Sequence, residues 1–202
     1  MIGTQPGNTT FLRTSILQIV ICGLVIFLLG FGTYSRNEIW KSDVAVWTDC
    51  VRKSPNKDRP HLLLGDIFVR QGRYPEAIGQ FNEALRANPN YAEAHANLGA
   101  VFIFQGRYPE AIAEYSEALR IKPRYSEARY CLGVISIFQG KYQEAIAQLT
   151  EALRINPDYT LAHYSLGTAY LSVGNRDLVL KEYEVLKTKN PRLANALLEK
   201  IE

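Results

Sequence analysis

The feature that most constrains the fold of this chain is an eight-residue stretch that recurs every 34 residues. It reads Gln-Gly-Arg-Tyr-Pro-Glu-Ala-Ile at residues 71–78 and again at 105–112, and an altered copy occupies residues 139–146. The same interval separates the members of three further series, which are Gly65, Gly99, Gly133 and Gly167; Gly72, Gly106, Gly140 and Gly174; and Pro89, Pro123, Pro157 and Pro191. A period of this length predicts an array of stacked repeats.

The second copy predicts two antiparallel helices that are joined by a tight turn. Gly106 ends the first helix, because glycine adopts the left-handed backbone conformation at little cost. Pro109 follows at a position where the first turn of a helix tolerates proline. The second helix then carries a core-facing stripe at spacings of about three and four, made up of Ala111, Ile112, Tyr115, Ala118 and Leu119. Gly99 and Ala118 are small where the two helices are expected to approach closely.

These residues resemble the signature of the tetratricopeptide repeat. The positions that carry the resemblance in the second copy are Leu98, Gly99, Phe102, Ala111, Tyr115, Ala118 and Pro123. The third copy departs from it at Ser136 and Leu149, and the fourth has Val179 and Leu186 in place of the alanines. The resemblance implies an all-α solenoid of helical hairpins that winds into a right-handed superhelix. Its repeats 1 to 4 would span residues 58–91, 92–125, 126–159 and 160–193, followed by a capping helix at 194–202.

The N-terminal part of the chain has a different character. Residues 1–11 are expected to form a polar tail, whereas 12 of the 16 residues from Ile16 to Phe31 are Ile, Leu, Val or Phe and none is charged. Such a stretch favours membrane insertion by roughly 4–7 kcal/mol. An α-helix that continues to Tyr34 has about the length needed to span the hydrocarbon core of a membrane. We therefore predict one transmembrane helix at residues 12–34.

Two alternatives to an anchor stay open from the sequence alone. A cleaved signal peptide would use Arg13 as its basic region, although the apolar stretch exceeds the usual length of about 7–15 residues and lacks an Ala-x-Ala site. A buried helix would need apolar partners that the rest of the chain does not supply. We expect a single-pass membrane protein, and the flanking Lys and Arg residues leave its sidedness open.

Residues 35–57 are predicted to form an amphipathic linker that ends in the second helix of an incomplete repeat. Counting back by one period places Trp47 at the aromatic position, Cys50 at a small-residue position and Pro55 at the proline position. An apolar span, Trp40, this linker and the repeats together resemble the tail of membrane glycosyltransferase-like proteins that carry tetratricopeptide arrays. In that family the repeats lie outside the cytoplasm or in the ER lumen, which favours an extracytoplasmic array here.

The sequence predicts a binding protein rather than an enzyme. His61, His95 and His163 hold equivalent positions in their repeats, which lie about 8–10 Å apart, too far for neighbouring histidines to share a metal ion. The chain has no glycine-rich phosphate loop and no serine elbow. Its net charge of +3 is too small and too evenly spread for a nucleic-acid footprint. We therefore expect no catalytic residue, no metal, no cofactor and no nucleic-acid partner.

In tetratricopeptide arrays the first helix of each repeat lines a concave groove, and the resemblance places an apolar and aromatic stripe there. The candidate partner-binding residues are Asn97, Ile103, Phe104, Tyr130, Val134, Ile137, Phe138 and Tyr164. Chaperone-binding members hold a C-terminal carboxylate with Lys, Asn and Arg at defined groove positions. Here Leu62 and Asp66 replace the first Lys and Asn. Glu127 and Cys131 replace a second Lys and an Arg, so the carboxylate clamp is absent.

Two interpretations of this stripe stay open. It is either ordinary packing between repeats or a trough for an apolar helix or an extended segment of a partner. The predicted function is a membrane-anchored scaffold for protein–protein interaction. The alternative is a fragment or accessory subunit of a membrane glycosyltransferase.

Overall fold

The computed structural model describes residues 43–201, in which all regular structure is α-helical. The ten helices of this part are α1 (Asp43–Lys53), α2 (Asp58–Arg70), α3 (Tyr74–Ala87), α4 (Ala92–Phe104), α5 (Tyr108–Ile121), α6 (Ser126–Phe138), α7 (Tyr142–Ile155), α8 (Thr160–Ser172), α9 (Arg176–Lys189) and α10 (Pro191–Leu198). The prediction of an all-α solenoid of helical hairpins is confirmed.

The chain divides into two compact parts at residue 55, so α1 belongs to the first part and α2 to α10 to the second. Residues 1–42 lie outside the described residues, and with them the predicted tail, the predicted transmembrane helix at 12–34 and the start of the 35–57 linker. Within residues 43–201, none of the helices combines the length and hydropathy needed to cross a membrane. Helix α1 falls inside the predicted linker, with Trp47 and Cys50 half-buried.

Each hairpin in the second part turns on a glycine that follows its first helix. In repeat 2, Gly106 has φ of 71°, a left-handed conformation that favours glycine. The N–H of Gly106 donates to the carbonyl oxygen of Ile103 at 2.9 Å, and the N–H of Arg107 donates to that of Phe102 at 2.8 Å. This pair of bonds is the Schellman pattern, which satisfies the last carbonyl groups of the helix. The other three repeats close their first helices with the same two bonds.

A second glycine in each first helix sets how closely the paired helices approach. A Cβ atom on Gly65 would lie 2.5 Å from Cε1 of Phe81, and one on Gly99 would lie 3.0 Å from Cε2 of Tyr115. Both rings are fully or almost fully buried. The predicted close contact between the helices of a repeat therefore exists. Its large partner lies on the second helix and is aromatic in repeats 1 and 2, whereas in repeat 3 Leu149 lies 2.7 Å from a Cβ atom on Gly133.

Repeat 4 differs from the others in the residue that covers its glycine. A Cβ atom on Gly167 would lie 2.7 Å from Leu197, a residue of α10. Helix α10 begins at Pro191, three residues before the predicted capping segment, because proline fits the first turn and the Asn190 side chain accepts a hydrogen bond from the Leu193 N–H at 3.3 Å. Its buried residues pack with those of α9, a cluster made up of Val179, Leu186, Ala194 and Leu197.

We expect Gly65→Ala to lower the free energy of unfolding by about 1–3 kcal/mol, because the new methyl group would clash with Phe81 in a tightly packed core. Gly79→Ala provides the matched control. Gly79 lies in α3, and a Cβ atom added to it would have no neighbour within 4 Å, so this change should stabilise the chain by about 0.5–1 kcal/mol through helix propensity alone. Urea unfolding followed by circular dichroism measures both. Equal effects of the two substitutions would disprove the contact.

Candidate functional site

The eight predicted groove residues fall into two groups by their exposure. Phe104 and Phe138 are 64% and 67% exposed, more than any other large hydrophobic side chain in the described part. Each stacks on a tyrosine of the preceding repeat: Phe104 on Tyr74, with ring centroids 5.7 Å apart, and Phe138 on Tyr108, at 6.2 Å. We call these four residues the aromatic edge. The edge repeats once per period and leaves both phenylalanine rings open to solvent.

The remaining predicted residues are less accessible. Tyr130 and Ile137 pack against a core cluster shared by repeats 3 and 4, and Tyr130 also contacts the Tyr159 ring at a centroid distance of 4.9 Å. Tyr164 packs against the cluster beneath α10, and Ile103 and Val134 are half-buried. Part of the predicted stripe is thus packing between repeats, whereas the continuity of a trough across repeats 2 to 4 stays a prediction.

A cavity of about 480 Å³ opens between α2 and α4, and we call it the α2–α4 cavity. Its lining residues are Arg59, Leu62, Leu63, Asp66, Tyr91, Glu93, Asn97 and Tyr125. Only Asn97 was among the predicted site residues. The sequence did contain a signal for the two tyrosines, because Tyr91, Tyr125 and Tyr159 recur at the 34-residue period immediately before successive first helices.

Half-buried polar groups, together with the exposed Glu93, give this cavity its electrostatic character. The Asn97 side chain donates from Nδ2 to Oδ1 of Asp66 at 2.7 Å and so joins repeats 1 and 2. Burial raises the pKa of Asp66 above its ordinary value, while Arg70 and the Asn97 hydrogen bond act in the opposite direction. Burial, and next the Glu93 carboxylate, raise the pKa of Tyr125 to about 12, and the same two causes raise the pKa of Tyr91. Both phenols are therefore neutral at physiological pH.

The three histidines lie in hairpin contacts of their own repeats. Nδ1 of His95 lies 2.7 Å from Oε2 of Glu114, and Nδ1 of His163 lies 2.6 Å from Oε2 of Glu182. Nδ1 of His61 lies 2.8 Å from Oε1 of Gln80. Each partner is 19 residues further along the chain, on the second helix of the same repeat. Among residues 43–201, no three His, Cys, Asp or Glu side chains are grouped so that they could hold a metal ion.

Two family models match this chain. One, described as tetratricopeptide repeat, matches residues 62–126, and the other, described as TPR repeat, matches residues 138–174. Together they cover about half of the chain. A search of curated proteins gave no match, and the resemblance to glycosyltransferase tails stays a prediction.

Several solved structures share the fold. A crystal structure of MamA is 22% identical, with a TM-score of 0.65, and the match covers 84% of this chain and 94% of that one. YrrB, titled a TPR protein with an unusual peptide-binding site, is 23% identical over 82% of this chain and 86% of its own, with a TM-score of 0.64. TTC0263, a thermophilic TPR protein in Thermus thermophilus, is 19% identical over 86% and 95%, also with a TM-score of 0.65. At these identities the likeness shows the fold.

We expect Asp66→Asn to stabilise the chain at neutral pH by up to about 1 kcal/mol, a small effect because the side chain is only half-buried. The pKa of Asp66 is raised in the folded state, so this residue destabilises the fold increasingly as the pH rises from its ordinary value of 3.8 through the folded value. The asparagine variant lacks that penalty, and its advantage should vanish near pH 3, where both states of Asp66 are protonated.

Urea unfolding at about pH 7 and about pH 3 measures the difference. Glu144→Gln, which removes one negative charge at an exposed position of α7, controls for the change in net charge. A variant that is less stable than the parent chain at neutral pH would show that the Asp66 charge is well compensated in the cavity.

Proposed function

Because this chain is built of tetratricopeptide repeats, we propose that it is a scaffold that binds a protein or peptide partner through the aromatic edge. The observation that carries this proposal is the exposure of Phe104 and Phe138, at about two-thirds each, in equivalent positions of consecutive repeats. Large apolar side chains that stay in water at repeated positions are typical of an interaction surface.

The energy available from these two rings is considerable. A phenylalanine side chain presents about 150–250 Å² of surface. If a partner covered roughly a further 100 Å² of each ring, the binding free energy would gain about 2.5 kcal/mol per ring, at about 25 cal/mol per Å². Stacking on Tyr74 and Tyr108 also restricts the rings before a partner arrives. Less conformational entropy is then lost on binding.

The chemistry of the neighbouring residues indicates what kind of segment fits. In the predicted groove, the half-buried Ile103 and Val134 would extend the apolar surface of the two rings. An apolar helix or an extended segment would cover such a surface. A C-terminal carboxylate does not fit the groove, because Leu62, Asp66 and Glu127 occupy positions where cationic or amide side chains would be needed.

We further propose that residues 12–34 anchor the scaffold in a membrane as a single transmembrane helix. Support for this comes from the sequence, in which 12 of 16 residues between Ile16 and Phe31 are Ile, Leu, Val or Phe and none is charged. The array would then present its aromatic edge close to a bilayer. An extracytoplasmic array is favoured by the resemblance to glycosyltransferase tails.

A Phe104→Ser, Phe138→Ser double variant should lose partner binding while its helical content is nearly unchanged. Truncation of a buried aromatic residue costs about 3–5 kcal/mol, but these two rings are mostly exposed, so the fold should tolerate their loss. Panning a displayed library of random peptides against the full chain, followed by affinity measurement on the enriched peptides, tests the effect on binding.

Leu180→Ser is the matched control, since Leu180 is 48% exposed on α9, the second helix of repeat 4. Unchanged peptide affinity in the double variant would place the binding surface elsewhere. Cooperative loss of helix in circular dichroism would assign both phenylalanines to the packing between repeats.

The anchor predicts that the full chain stays in the membrane pellet through an alkaline carbonate wash. The roughly 4–7 kcal/mol estimated for insertion of the apolar stretch exceeds what a peripheral contact would supply under these conditions. Immunoblotting of pellet and supernatant, with N-terminal sequencing of the pelleted protein, provides the measurement. Release of the intact chain, or a mature N-terminus close to Thr33, would refute the anchor.

A further inference from the structure

We propose that the α2–α4 cavity is a subsite for an arginine side chain of the bound partner. This inference rests on the proposed function, because it assumes a protein or peptide ligand, and it adds a charged contact to the apolar contact of the aromatic edge. Three features of the cavity support it: carboxylate oxygens that lack a hydrogen-bond donor, the charges of the lining residues, and the apolar and aromatic side chains that line it.

The cavity contains carboxylate oxygens that no protein group satisfies within residues 43–201. Oδ1 of Asp66 accepts the hydrogen bond from Asn97, whereas Oδ2 accepts none from this part of the chain. The Glu93 carboxylate likewise accepts no hydrogen bond from the described residues. Glu93 also contributes to raising the pKa of Asp66, which indicates that the two charges repel each other. A ligand without hydrogen-bond donors would leave Oδ2 of the half-buried Asp66 desolvated and without a donor, which is unfavourable.

The charge balance of the lining favours a cation. Asp66 and Glu93 carry two negative charges, and Arg59 carries the single positive charge. The guanidinium of Arg59 forms no ion pair with the described residues. Among the lining residues themselves there is thus one excess negative charge, which favours a cationic ligand.

The walls suit a long side chain with a planar charged head. Leu62 and Leu63 provide an apolar surface against which an alkyl stem can lie. The rings of Tyr91 and Tyr125 flank the same space, and Tyr125 already holds a cation, with Nζ of Lys122 4.3 Å from its ring centroid. A guanidinium stacks on aromatic rings and presents five donors in one plane, so it can serve two carboxylates at once. The compact ammonium group of lysine matches that arrangement less well.

The test titrates the full chain, kept in a mild non-ionic detergent, with N-acetyl-arginine N-methylamide. Carbon-13 labels in the tyrosine rings report binding, and Tyr91→Phe and Tyr125→Phe variants assign the two relevant signals. We expect these signals to shift with a saturable dependence and a Kd on the order of 1 mM. Asp66→Asn and Glu93→Gln should each weaken binding by about tenfold or more. Glu144→Gln should leave it unchanged.

The citrulline counterpart of the probe, which is nearly isosteric and uncharged, should not shift the signals. Equal shifts with citrulline, or equal affinity in the carboxylate variants, would overturn a cation site. Equal affinity for the lysine counterpart would overturn the choice of arginine. The probe does not depend on Phe104 or Phe138, so loss of the cavity result leaves the peptide test of the aromatic edge standing. Likewise, failure of the peptide test at Phe104 and Phe138 would leave the result for the cavity unaffected.

Discussion

The architecture depends on a close contact that recurs in each repeat, between a glycine of the first helix and a large side chain packed against it. Phe81 and Tyr115 lie where a Cβ atom on Gly65 or Gly99 would have to be. This contact brings the helix axes together, and the alanines on the second helix, such as Ala84 and Ala118, are completely buried beside it. Since each repeat buries its remaining apolar surface against the next, the stack follows from the hairpin.

The hairpins could be predicted from the sequence because their determinants are local. Gly106 ends α4 with the expected turn, and Pro109 lies in the first turn of α5 as expected. The end of the array was less predictable, because the period gives no information about the segment beyond its last copy. Gly167 meets Leu197 of α10 in place of a large residue of α9, and α10 begins at Pro191, a residue that the period assigned to repeat 4.

The candidate site was only partly predictable, since exposure depends on residues that lie one repeat away. Phe104 and Tyr130 are both aromatic groove positions. Phe104 rests on the half-buried Tyr74 and stays open, whereas Tyr130 packs against Tyr159 and a buried cluster. The pattern of apolar residues in the sequence does not distinguish an exposed ring such as Phe104 from a packed ring such as Tyr130. The apolar pattern also gives no indication of the α2–α4 cavity, which combines carboxylates and tyrosines with Leu62 and Leu63.

The junction between repeats 2 and 3 differs from its neighbours in a way that bears on function. Nε2 of His95 lies 3.3 Å from the carbonyl oxygen of Pro89, and Nε2 of His163 lies 3.1 Å from that of Pro157, so each ring bridges to the end of the preceding repeat. In repeat 3 the equivalent residue is Arg129, whose Nη1 donates to Gln148 but whose buried Nε has no hydrogen-bond partner in the described part.

An unsatisfied buried donor costs about 1–3 kcal/mol, so this junction contributes less stability than one with the histidine bridge. Phe138 stacks on Tyr108 across that same junction, and Phe104 lies on its other side, in repeat 2. A partner that covers both phenylalanines therefore spans the junction that lacks the bridge. Since stability in such arrays is set by contacts between neighbouring repeats, binding at the aromatic edge would add contacts across the junction that lacks the histidine bridge.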